Sequence, residues 1–567
     1  MGVLISWKEL TGVPPTKAQV QKQLAPYSLQ VVLLGLARLS AQLVTWQQKQ
    51  NSKGELEAVR QMLPRYYPAI TALVSARSDR VILTRITLLY VAKQALSVCP
   101  LEGRDVETAL DDERIMTCCL MANDLLLGRV PRRDDRVIDK AASLLPFSNY
   151  LPDPDDPLDV ARNLILIDEI APRLTDRADY RDLAGEFRNA TGFTPQTFCE
   201  FIFCAGTKFV TNLAEQNNPA GLVLTPEFFQ HTRVRDRFEE FLRQYSITLT
   251  DLMIKHRRNS TLDDDFVIFQ DRPLIEFAPN HHMCIDPGFL LDKAGRSFYW
   301  TLHNNTAPSQ RKNLLGYWAT VVERYAQWLA AQTYRGCGAV LDSPRFANND
   351  EVCDIAIREG SRLILIEVKA GVLTATAKYS FDPKVLEEEL LRKAIQGEQG
   401  ERKGIAQLHR SIQRFQKRED ISGIRARDIT IIYPMLVFLD RSFTSPYLSA
   451  LYRDSFDRTS LLRRPKTTSP LAITVRDLES LLPMTHLHDL SDILDEYYRH
   501  NRTADGMIAF GRMSYAKIPL LRNAARGRDI VRERFEQFNE EMIANIFPPG
   551  KGNDHSDPRS EPLSLSP

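Results

Sequence analysis

The chain has 567 residues, more than one hydrophobic core usually serves, so we expect several domains. Hydrophobic residues make up 43% and charged residues 26%, which is typical of a globular protein and excludes the collagen-like, wholly disordered and disulfide-scaffold classes. The 73 basic residues nearly balance the 72 acidic ones, so any surface that binds nucleic acid has to be local.

The cysteines and the apolar stretches bear on the cellular compartment. The eight cysteines form no CxxC pair, so we expect buried free thiols rather than a zinc site. No apolar stretch is long enough to span a bilayer, and the first residues lack the basic and apolar regions of a secretion signal. The sequence therefore predicts a cytoplasmic protein that does not contact a membrane.

Residues 1–262 are predicted to form a mainly helical domain. Apolar residues recur at spacings of three and four in segments 30–48, 54–62, 79–98 and 107–127, and strand-like runs are rare. A proline-rich stretch at 151–157 divides the region into two helical subsets. No motif here carries chemistry, so recognition, oligomerisation and regulation are all compatible with it.

Residues 263–309 are predicted to be a β-rich connector. The runs DFVIFQDRPLIEF and FYWTL are strand-like, with turn residues between them. His281, His282 and Cys284 lie in this stretch, but no further ligand has a spacing that would complete a metal site. We interpret the segment around them as a loop with ordinary histidines.

Residues 310–482 alternate helix and strand, and residues 483–547 are predicted to be a helical extension. We expect a helix at 313–334, strands at 339–342, 352–357 and 363–370, helices at 384–396 and 401–418, and strands at 429–439 and 472–475. Later helices are expected at 477–482, 490–500 and 516–546. Pro434 predicts that its strand bends or lies partly at an edge. Residues 548–567 lack apolar periodicity and are predicted to be a disordered tail.

One segment, residues 349–371, brings acidic side chains and a lysine together. Side chains alternate along a strand, so Glu367 and Lys369 project from one face. A two-residue turn at residues 359–360 would place Asp354 opposite Leu365 and diagonal to Glu367 on that face. Apolar residues then share the other face, which supports the register: Cys353, Ile355, Ile357, Ile364, Ile366 and Val368.

Two carboxylates in a half-buried hairpin repel each other unless a cation neutralises them. Mg²⁺ takes oxygen ligands from carboxylates, water and phosphate, lowers the pKa of a bound water and offsets charge on a phosphodiester oxygen. Lys369 would then orient that water or stabilise the transition state. The alternative is an exposed hairpin edge with a Glu–Lys pair of little energetic value.

The order of a helix with Glu323, a strand with Asp354, a strand ending in Glu367-Val368-Lys369, and then a helix and a further strand resembles the PD-(D/E)xK nuclease superfamily. That superfamily includes restriction endonucleases, Holliday-junction resolvases, and RecB-like and lambda-type exonucleases. The resemblance covers roughly residues 313–475. It implies a restriction-endonuclease-like αβββαβ core in the C-terminal half.

The resemblance also implies a Mg²⁺-dependent site in which Mn²⁺ can substitute. The catalytic residues that it implies are Asp354, Glu367, Lys369, Glu323 and Gln407. The metal ligands that it implies are Asp354, Glu367 and Val368. The proline that precedes the aspartate in the family pattern is absent, since Val352 and Cys353 stand there. Asp382-Pro383-Lys384 also fits D-x-K, but its proline argues against a central strand.

The predicted helix at 401–418 has basic residues on about a third of its circumference and apolar residues on the opposite side. In the RecB-like branch a helix at this place carries a supporting glutamine, and Gln407 is the best match. Four basic residues of the helix are candidate nucleic-acid contacts that track phosphates: Lys403, Arg410, Arg414 and Lys417. The alternative is a solvated helix face.

We therefore expect a multidomain α + α/β protein with a mainly helical N-terminal domain, a β-rich connector, and a restriction-endonuclease-like core with a helical extension. The expected function is metal-dependent hydrolysis of phosphodiester bonds in DNA. Family analogy places it in bacterial anti-phage defence or mobile-element restriction. The alternatives are an inactive nuclease fold that binds nucleic acid or acts as a scaffold, and a nuclease that acts on RNA. A homo-oligomer or a partner protein encoded elsewhere is compatible with each.

Overall fold

A computed structural model describes residues 3–48, 52–77, 80–102, 111–127, 135–148, 158–211, 222–230, 232, 234–259, 265–396, 404–456, 464–500 and 529–546. The fold is mixed α/β and mostly helical, with one large sheet in the C-terminal half. Among the described helices, none combines the length and the apolar character that a membrane span requires. The proline-rich stretch at 151–157 and the predicted tail at 548–567 lie outside the described residues.

Helices dominate the chain before residue 265, as the apolar spacing predicted. They are α1 (Trp7–Thr11), α2 (Lys17–Leu24), α3 (Leu29–Gln48), α4 (Ser52–Met62), α5 (Tyr67–Ala76), α6 (Arg85–Val98), α7 (Asp112–Leu127), α8 (Val137–Ser148), α9 (Leu158–Leu164), α10 (Leu183–Thr191), α11 (Pro195–Thr211), α12 (Arg235–Tyr245) and α13 (Leu249–Asn259). Strands β1 (Val3–Leu4) and β2 (Arg80–Val81) pair in parallel. The helix predicted at 79–98 therefore begins only at Arg85, where the Thr84 hydroxyl caps it.

Residues 265–305 contain more helix than the predicted β-rich connector. Strands β4 (Leu274–Ala278) and β5 (His281–Cys284) form an antiparallel hairpin, and β3 (Ser246–Thr248) pairs in parallel with β4. The predicted loop at His281, His282 and Cys284 is therefore a strand. The remaining segments are helical: α14 (Val267–Asp271), α15 (Pro287–Ala294) and α16 (Phe298–Asn305).

The strand predicted for FYWTL is wrong because a short apolar run has no period that separates a strand from a buried helix. In the fold, Phe298 stacks on Phe187 of α10 with ring centroids 4.3 Å apart. Leu302, one helical turn further on, is buried in the same cluster. Packing against α10 therefore decides in favour of the helix.

The C-terminal half contains a six-stranded mixed sheet that follows the long helix α17 (Arg311–Thr333). Its strands are β6 (Ala339–Asp342), β7 (Ile355–Glu359), β8 (Arg362–Lys369), β9 (Ile431–Phe438), β10 (Lys466–Thr467) and β11 (Leu471–Thr474). β6, β7 and β8 are antiparallel neighbours, and β9 runs parallel to β8. β10 and β11 both pair with the outer side of β9.

Helices surround the sheet. They are α18 (Ala375–Tyr379), α19 (Pro383–Leu390), α20 (Ile405–Gln416), α21 (Pro446–Ser455), α22 (Val475–Leu481), α23 (Leu490–His500) and α24 (Ile530–Ile546). The element order of one helix, three strands, helices and a strand agrees with the predicted order. Asp382 caps α19 by accepting the Lys384 N–H at 2.8 Å, so the D-x-K tripeptide there is outside the sheet, as predicted. Residues 516–528 of the predicted last helix lie outside the described residues.

Apolar residues bury both faces of the sheet. The prediction of a half-buried β7–β8 hairpin is therefore wrong. On one face, Ile364 and Ile366 pack with residues of α9, α10, α11 and α17. On the other face, Leu363 and Leu365 pack with residues of α8, α20 and α21. Cys353 belongs to this second cluster and not to the first, because the chain bends at Asp354.

Helices α8, α9, α10 and α11, which precede residue 262, thus pack on the sheet that follows it. Packing therefore crosses the predicted domain boundary at residue 262.

Pro434 lies in a strand that has neighbours on both sides, but at a position that is unpaired on one of them. β9 has β8 on one side and β10 and β11 on the other. The Thr468 N–H donates to the Ile432 carbonyl, so the backbone polar groups of Ile432 face the β10–β11 side. These groups alternate sides along a strand, so those of Pro434, two residues later, face the same side. β10 ends its pairing at Ile432 and β11 begins at Met435, so the missing N–H of Pro434 faces the gap between them.

A third buried cluster joins α2, α3, α6 and α7 to β3, β4 and α15. The cysteines agree largely with the prediction of buried free thiols: all eight are free and seven are buried, and Cys337 is exposed. Burial raises the pKa of the Cys99 and Cys204 thiols to about 12, so neither forms a reactive thiolate near neutral pH.

Candidate active site

The register of β7 and β8 places two carboxylates opposite each other. Glu359 pairs with Arg362, so the turn is formed by Gly360 and Ser361, one residue later than predicted. Gly360 has a φ of 58°, a left-handed conformation that favours glycine. Ile355 pairs with Ile366, so the register continued by one residue places Asp354 opposite Glu367, rather than opposite Leu365 and diagonal to Glu367.

Backbone groups hold Asp354 at the start of β7. Its N–H donates to the Ile366 carbonyl at 3.1 Å, and its Oδ2 accepts the Val368 N–H at 2.5 Å. Val368, which the family resemblance implied as a metal ligand, has an apolar side chain within the sheet core. Its main-chain N–H orients the Asp354 carboxylate.

Glu367 and Lys369 lie on the same face, as predicted, and form a buried ion pair. The Lys369 Nζ lies 2.6 Å from Glu367 Oε1, and Glu367 is only 2% exposed. The second oxygen, Glu367 Oε2, is buried and has no hydrogen-bond partner among the described residues. An unsatisfied buried carboxylate oxygen is costly, so it requires a ligand or a proton.

Burial and like charge shape the electrostatics of the site. Burial and the neighbouring Glu367 raise the pKa of Asp354 well above its usual range. Burial also raises the pKa of Glu367, although Lys369 opposes the rise. Burial disfavours the charged form of Lys369, but the carboxylates of Glu367 and Asp354 outweigh it and raise its pKa. Lys369 therefore stays positively charged.

Glu323 reaches this group from α17. Its carboxylate, that of Asp354 and that of Glu351 offer oxygens that lie within 4.8 Å of one another. Burial, followed by the charges of Asp354 and Glu351, raises the pKa of Glu323 to about 7. The structure thus brings Glu323, the most distant of the predicted acidic residues in sequence, beside Asp354.

Two residues of the site were missed in the sequence. Glu351 lies three positions before Asp354 in the same acidic segment, and that proximity was the available signal. Gln327 lies one helical turn after Glu323, and its Nε2 donates to the Asp354 carbonyl and to Ser343 Oγ, each at 3.0 Å. The i, i+4 spacing of two polar residues on a mostly apolar helix was its signal.

The structure places the predicted Gln407 on α20, which covers the sheet face that also carries Glu367. The apolar side of this helix is buried as predicted, with Leu408, Ile412 and Phe415 all at 0% exposure. The side chain of Gln407 is half-buried and forms no hydrogen bond with another described residue. It lies in the layer next to the site without a contact that defines its role.

The predicted nucleic-acid contacts differ from one another in their surroundings. Arg414 lies 2.6 Å from Asp350 and 2.5 Å from Glu419, and it covers the ring of Phe346 at 3.9 Å. Its guanidinium is thus engaged within the protein. Arg410 is half-buried and Lys417 is exposed at the end of α20. Lys403 lies outside the described residues.

The donor set fits a hard divalent cation. The carboxylates of Glu323, Glu351 and Asp354 converge, with that of Glu367 on the neighbouring strand, and all are at least partly buried. Carboxylate oxygen is the ligand type that Mg²⁺ and Mn²⁺ prefer. The partnerless Glu367 Oε2 and the raised carboxyl pKa values are what a site shows when its neutralising charge is missing. The residues present therefore fit the metal that the family resemblance implied.

No protein-family model, curated protein or solved structure matches this chain.

Proposed function

We propose that the protein is a metal-dependent nuclease of the PD-(D/E)xK type that hydrolyses phosphodiester bonds, with DNA as its substrate. The observation that carries the proposal is the position of Asp354 opposite Glu367, with Lys369 paired to Glu367 at 2.6 Å. This group lies on neighbouring strands with α17 and α20 beside it. Strands hold side chains in a fixed geometry, which catalysis requires.

Asp354 and Glu367 would hold the cation through their carboxylate oxygens. When bound, Mg²⁺ supplies a Lewis acid and lowers the pKa of a water molecule. Lys369 keeps its positive charge and presents it where negative charge develops on the phosphoryl group. Glu323, with a pKa of about 7, is suited to exchange a proton near neutral pH.

The burial of the group argues for catalysis rather than for a scaffold. Replacing a buried charged group by apolar residues is often neutral or stabilising, so a fold that needs only stability gains nothing from these carboxylates. Asp354 is 7% exposed and Glu367 is 2% exposed. Keeping both beside Glu323 is costly, and a cation that serves a reaction accounts for the cost.

Cleavage of nucleic acid tests the proposal. Supercoiled plasmid, linear DNA and matched RNA are incubated with the full chain in Mg²⁺, Mn²⁺ or EDTA. The test variant is Asp354→Asn. The matched control is Asp382→Asn, since Asp382 belongs to a D-x-K tripeptide outside the sheet and asparagine also caps helices.

We expect the wild type and Asp382→Asn to cut in Mg²⁺ or Mn²⁺ but not in EDTA, and Asp354→Asn to be inactive. Nicking of the circular plasmid would identify an endonuclease, and cutting of linear DNA alone an exonuclease. Cleavage of RNA alone would replace DNA by RNA as the substrate. Equal cutting by Asp354→Asn and the wild type would contradict the assignment of the site.

A further inference from the structure

A tight hairpin loop precedes Asp354 and connects β6 to β7. The Val352 N–H donates to the Pro344 carbonyl at 2.9 Å, and the Phe346 N–H donates to the Asp350 carbonyl at 2.9 Å. At its tip, Asn349 has a φ of 68°, a left-handed conformation that asparagine tolerates. The Ser343 N–H closes the base of the loop on the Asp354 carbonyl at 2.8 Å.

Alternation along this loop separates its side chains into two sets. Val352 is fully buried against the core below the sheet, and Asp350 pairs with Arg414 of α20. Glu351 lies between them, so its side chain projects to the opposite side. That side carries Glu323 and Asp354, whose carboxylate oxygens lie within 4.8 Å of those of Glu351.

Helix α20 holds the loop in place. Arg414 contacts Asp350 at 2.6 Å, and its guanidinium also reaches Asn348 Oδ1 at 3.2 Å. Ser411 Oγ donates to the Val352 carbonyl at 2.9 Å and is itself buried. These bonds bracket Glu351 on both sides, so its position is set by the fold rather than by a free loop.

We propose that Glu351 is a further metal ligand of this site, delivered by the loop at residues 343–354 to join Asp354 and Glu323. The inference rests on the proposed function, and it adds a ligand that the D…ExK pattern does not contain. The cation is a divalent one that prefers oxygen, such as Mg²⁺ or Mn²⁺.

An independent observation points to a ligand at the same place. Glu367 is 98% buried, and its Oε2 has no hydrogen-bond partner among the described residues. Glu367 lies on the strand next to Asp354, and the charges of Glu351 and Glu323 both act to raise the pKa of its carboxyl, so its free oxygen lies near the group that Glu351 joins. A cation there would satisfy this oxygen and neutralise the carboxylates together.

Mn²⁺ binding to the full chain tests the proposal without requiring activity. Free Mn²⁺ is followed by electron paramagnetic resonance during titration of the wild type, Glu351→Gln and Glu388→Gln. Glutamine keeps the shape of the side chain, so the loop is retained. Glu388 is an exposed residue of α19, and its variant makes the same change of charge away from the site.

We expect Glu351→Gln to weaken Mn²⁺ binding about tenfold or more, while Glu388→Gln binds like the wild type. Unfolding in EDTA gives a second readout. Removing one of several like charges stabilises the metal-free protein, so Glu351→Gln should raise its unfolding temperature and reduce the further rise caused by Mn²⁺.

Each outcome separates the inference from the proposed function. If the wild type binds Mn²⁺ and Glu351→Gln binds it equally well, Glu351 is not a ligand, and the assignment of Asp354 and Glu367 stands. If the wild type binds no Mn²⁺, both the metal site and the role of Glu351 are refuted. Weakened binding in Glu351→Gln alone supports both.

Discussion

The side-chain amide of Gln327 donates a hydrogen bond to the backbone carbonyl of Asp354 across 3.0 Å. The same amide donates to Ser343 Oγ at 3.0 Å and approaches Glu323 Oε1 at 3.4 Å. Gln327 is 3% exposed, so these bonds form out of water, where an unpaired group is costly. The bond from Gln327 to Asp354 connects α17 to the bend that precedes β7 and thereby positions Glu323 beside Asp354.

Replacing Gln327 by leucine should loosen this junction. The buried polar groups that it contacts lose a partner, so we expect the free energy of unfolding to fall by about 1–3 kcal/mol in urea denaturation. Gln332→Leu, on the exposed side of α17, should change it by less than about 0.5 kcal/mol. Equal stability of the two variants would show that the bond to Asp354 does not support the site.

The metal-free protein should lose stability as the pH rises from about 4.5 to about 7. The pKa of Glu323 is raised from 4.5 to about 7 by burial and by Asp354, so the folded state binds this proton more tightly than the unfolded state. Folding is therefore favoured while the carboxyl is protonated, and this contribution is lost as the pH passes the folded pKa. Asp354 and Glu367, whose pKa values are also raised, act in the same direction.

Unfolding temperatures in EDTA at pH 5 and pH 8 measure this effect. Glu323→Gln removes one titrating group and should reduce the difference between the two temperatures. Addition of Mg²⁺ at pH 8 should restore stability, because a cation favours the ionised carboxylates. A metal-free protein that is more stable at pH 8 than at pH 5 would contradict the electrostatics described for the site.

Lys369→Met should separate catalysis from metal binding. Loss of the positive charge beside Glu367 should lower the cleavage rate roughly a hundredfold to a thousandfold. Mn²⁺ binding at pH 8 should be retained, since a lysine is not a ligand and its charge repels a cation. The control is Lys384→Met in the tripeptide at the start of α19. A loss of Mn²⁺ binding together with activity would assign Lys369 a structural role instead.

Arg414 should behave as a positioning residue, unlike its neighbours on α20. Arg414→Ala frees Asp350 and the loop that carries Glu351, so we expect weaker Mn²⁺ binding. Arg410→Ala and Lys417→Ala should leave Mn²⁺ binding unchanged. If these two contact phosphates, each reduces the slope of log K against log salt for DNA binding by about 1. A normal Mn²⁺ affinity in Arg414→Ala would contradict the positioning role and leave Arg414 as a candidate phosphate contact.

A buried ion pair joins the N-terminal helices to the C-terminal half. Arg162 of α9 contacts Glu479 of α22 through two bonds of 2.5 and 2.8 Å, and the Tyr325 hydroxyl donates to the same carboxylate at 2.6 Å. Glu479→Gln removes the charge that Arg162 pairs with across the two halves and leaves it only Asp159 at 2.7 Å, so the free energy of unfolding should fall, by less than the about 3–5 kcal/mol of a fully unpaired buried charge. Asp139→Asn, which breaks an exposed pair with Arg136, should leave stability nearly unchanged. Similar values for the two would show that the halves do not depend on this contact.

The predictions from sequence were accurate where a local period carried the information. Alternation in residues 363–369 predicted β8 and the shared face of Glu367 and Lys369, and the amphipathic spacing predicted α20. The errors arose where two local solutions were equally good. A turn at 359–360 and one at 360–361 both preserve the alternation. The chain forms the second turn, in which Gly360 adopts a left-handed conformation.

The sequence by itself determined which residue types could carry chemistry and in what order they follow along the chain. It also determined which of them share a strand face, because strand alternation depends only on near neighbours. Only the tertiary structure decided that Glu351 joins Asp354 and Glu323, that Arg414 is occupied by Asp350, and that helices from residues 158–209 cover one face of the sheet. These contacts join segments that are distant in sequence, where burial and charge are set by what packs from elsewhere and no local pattern records the partner.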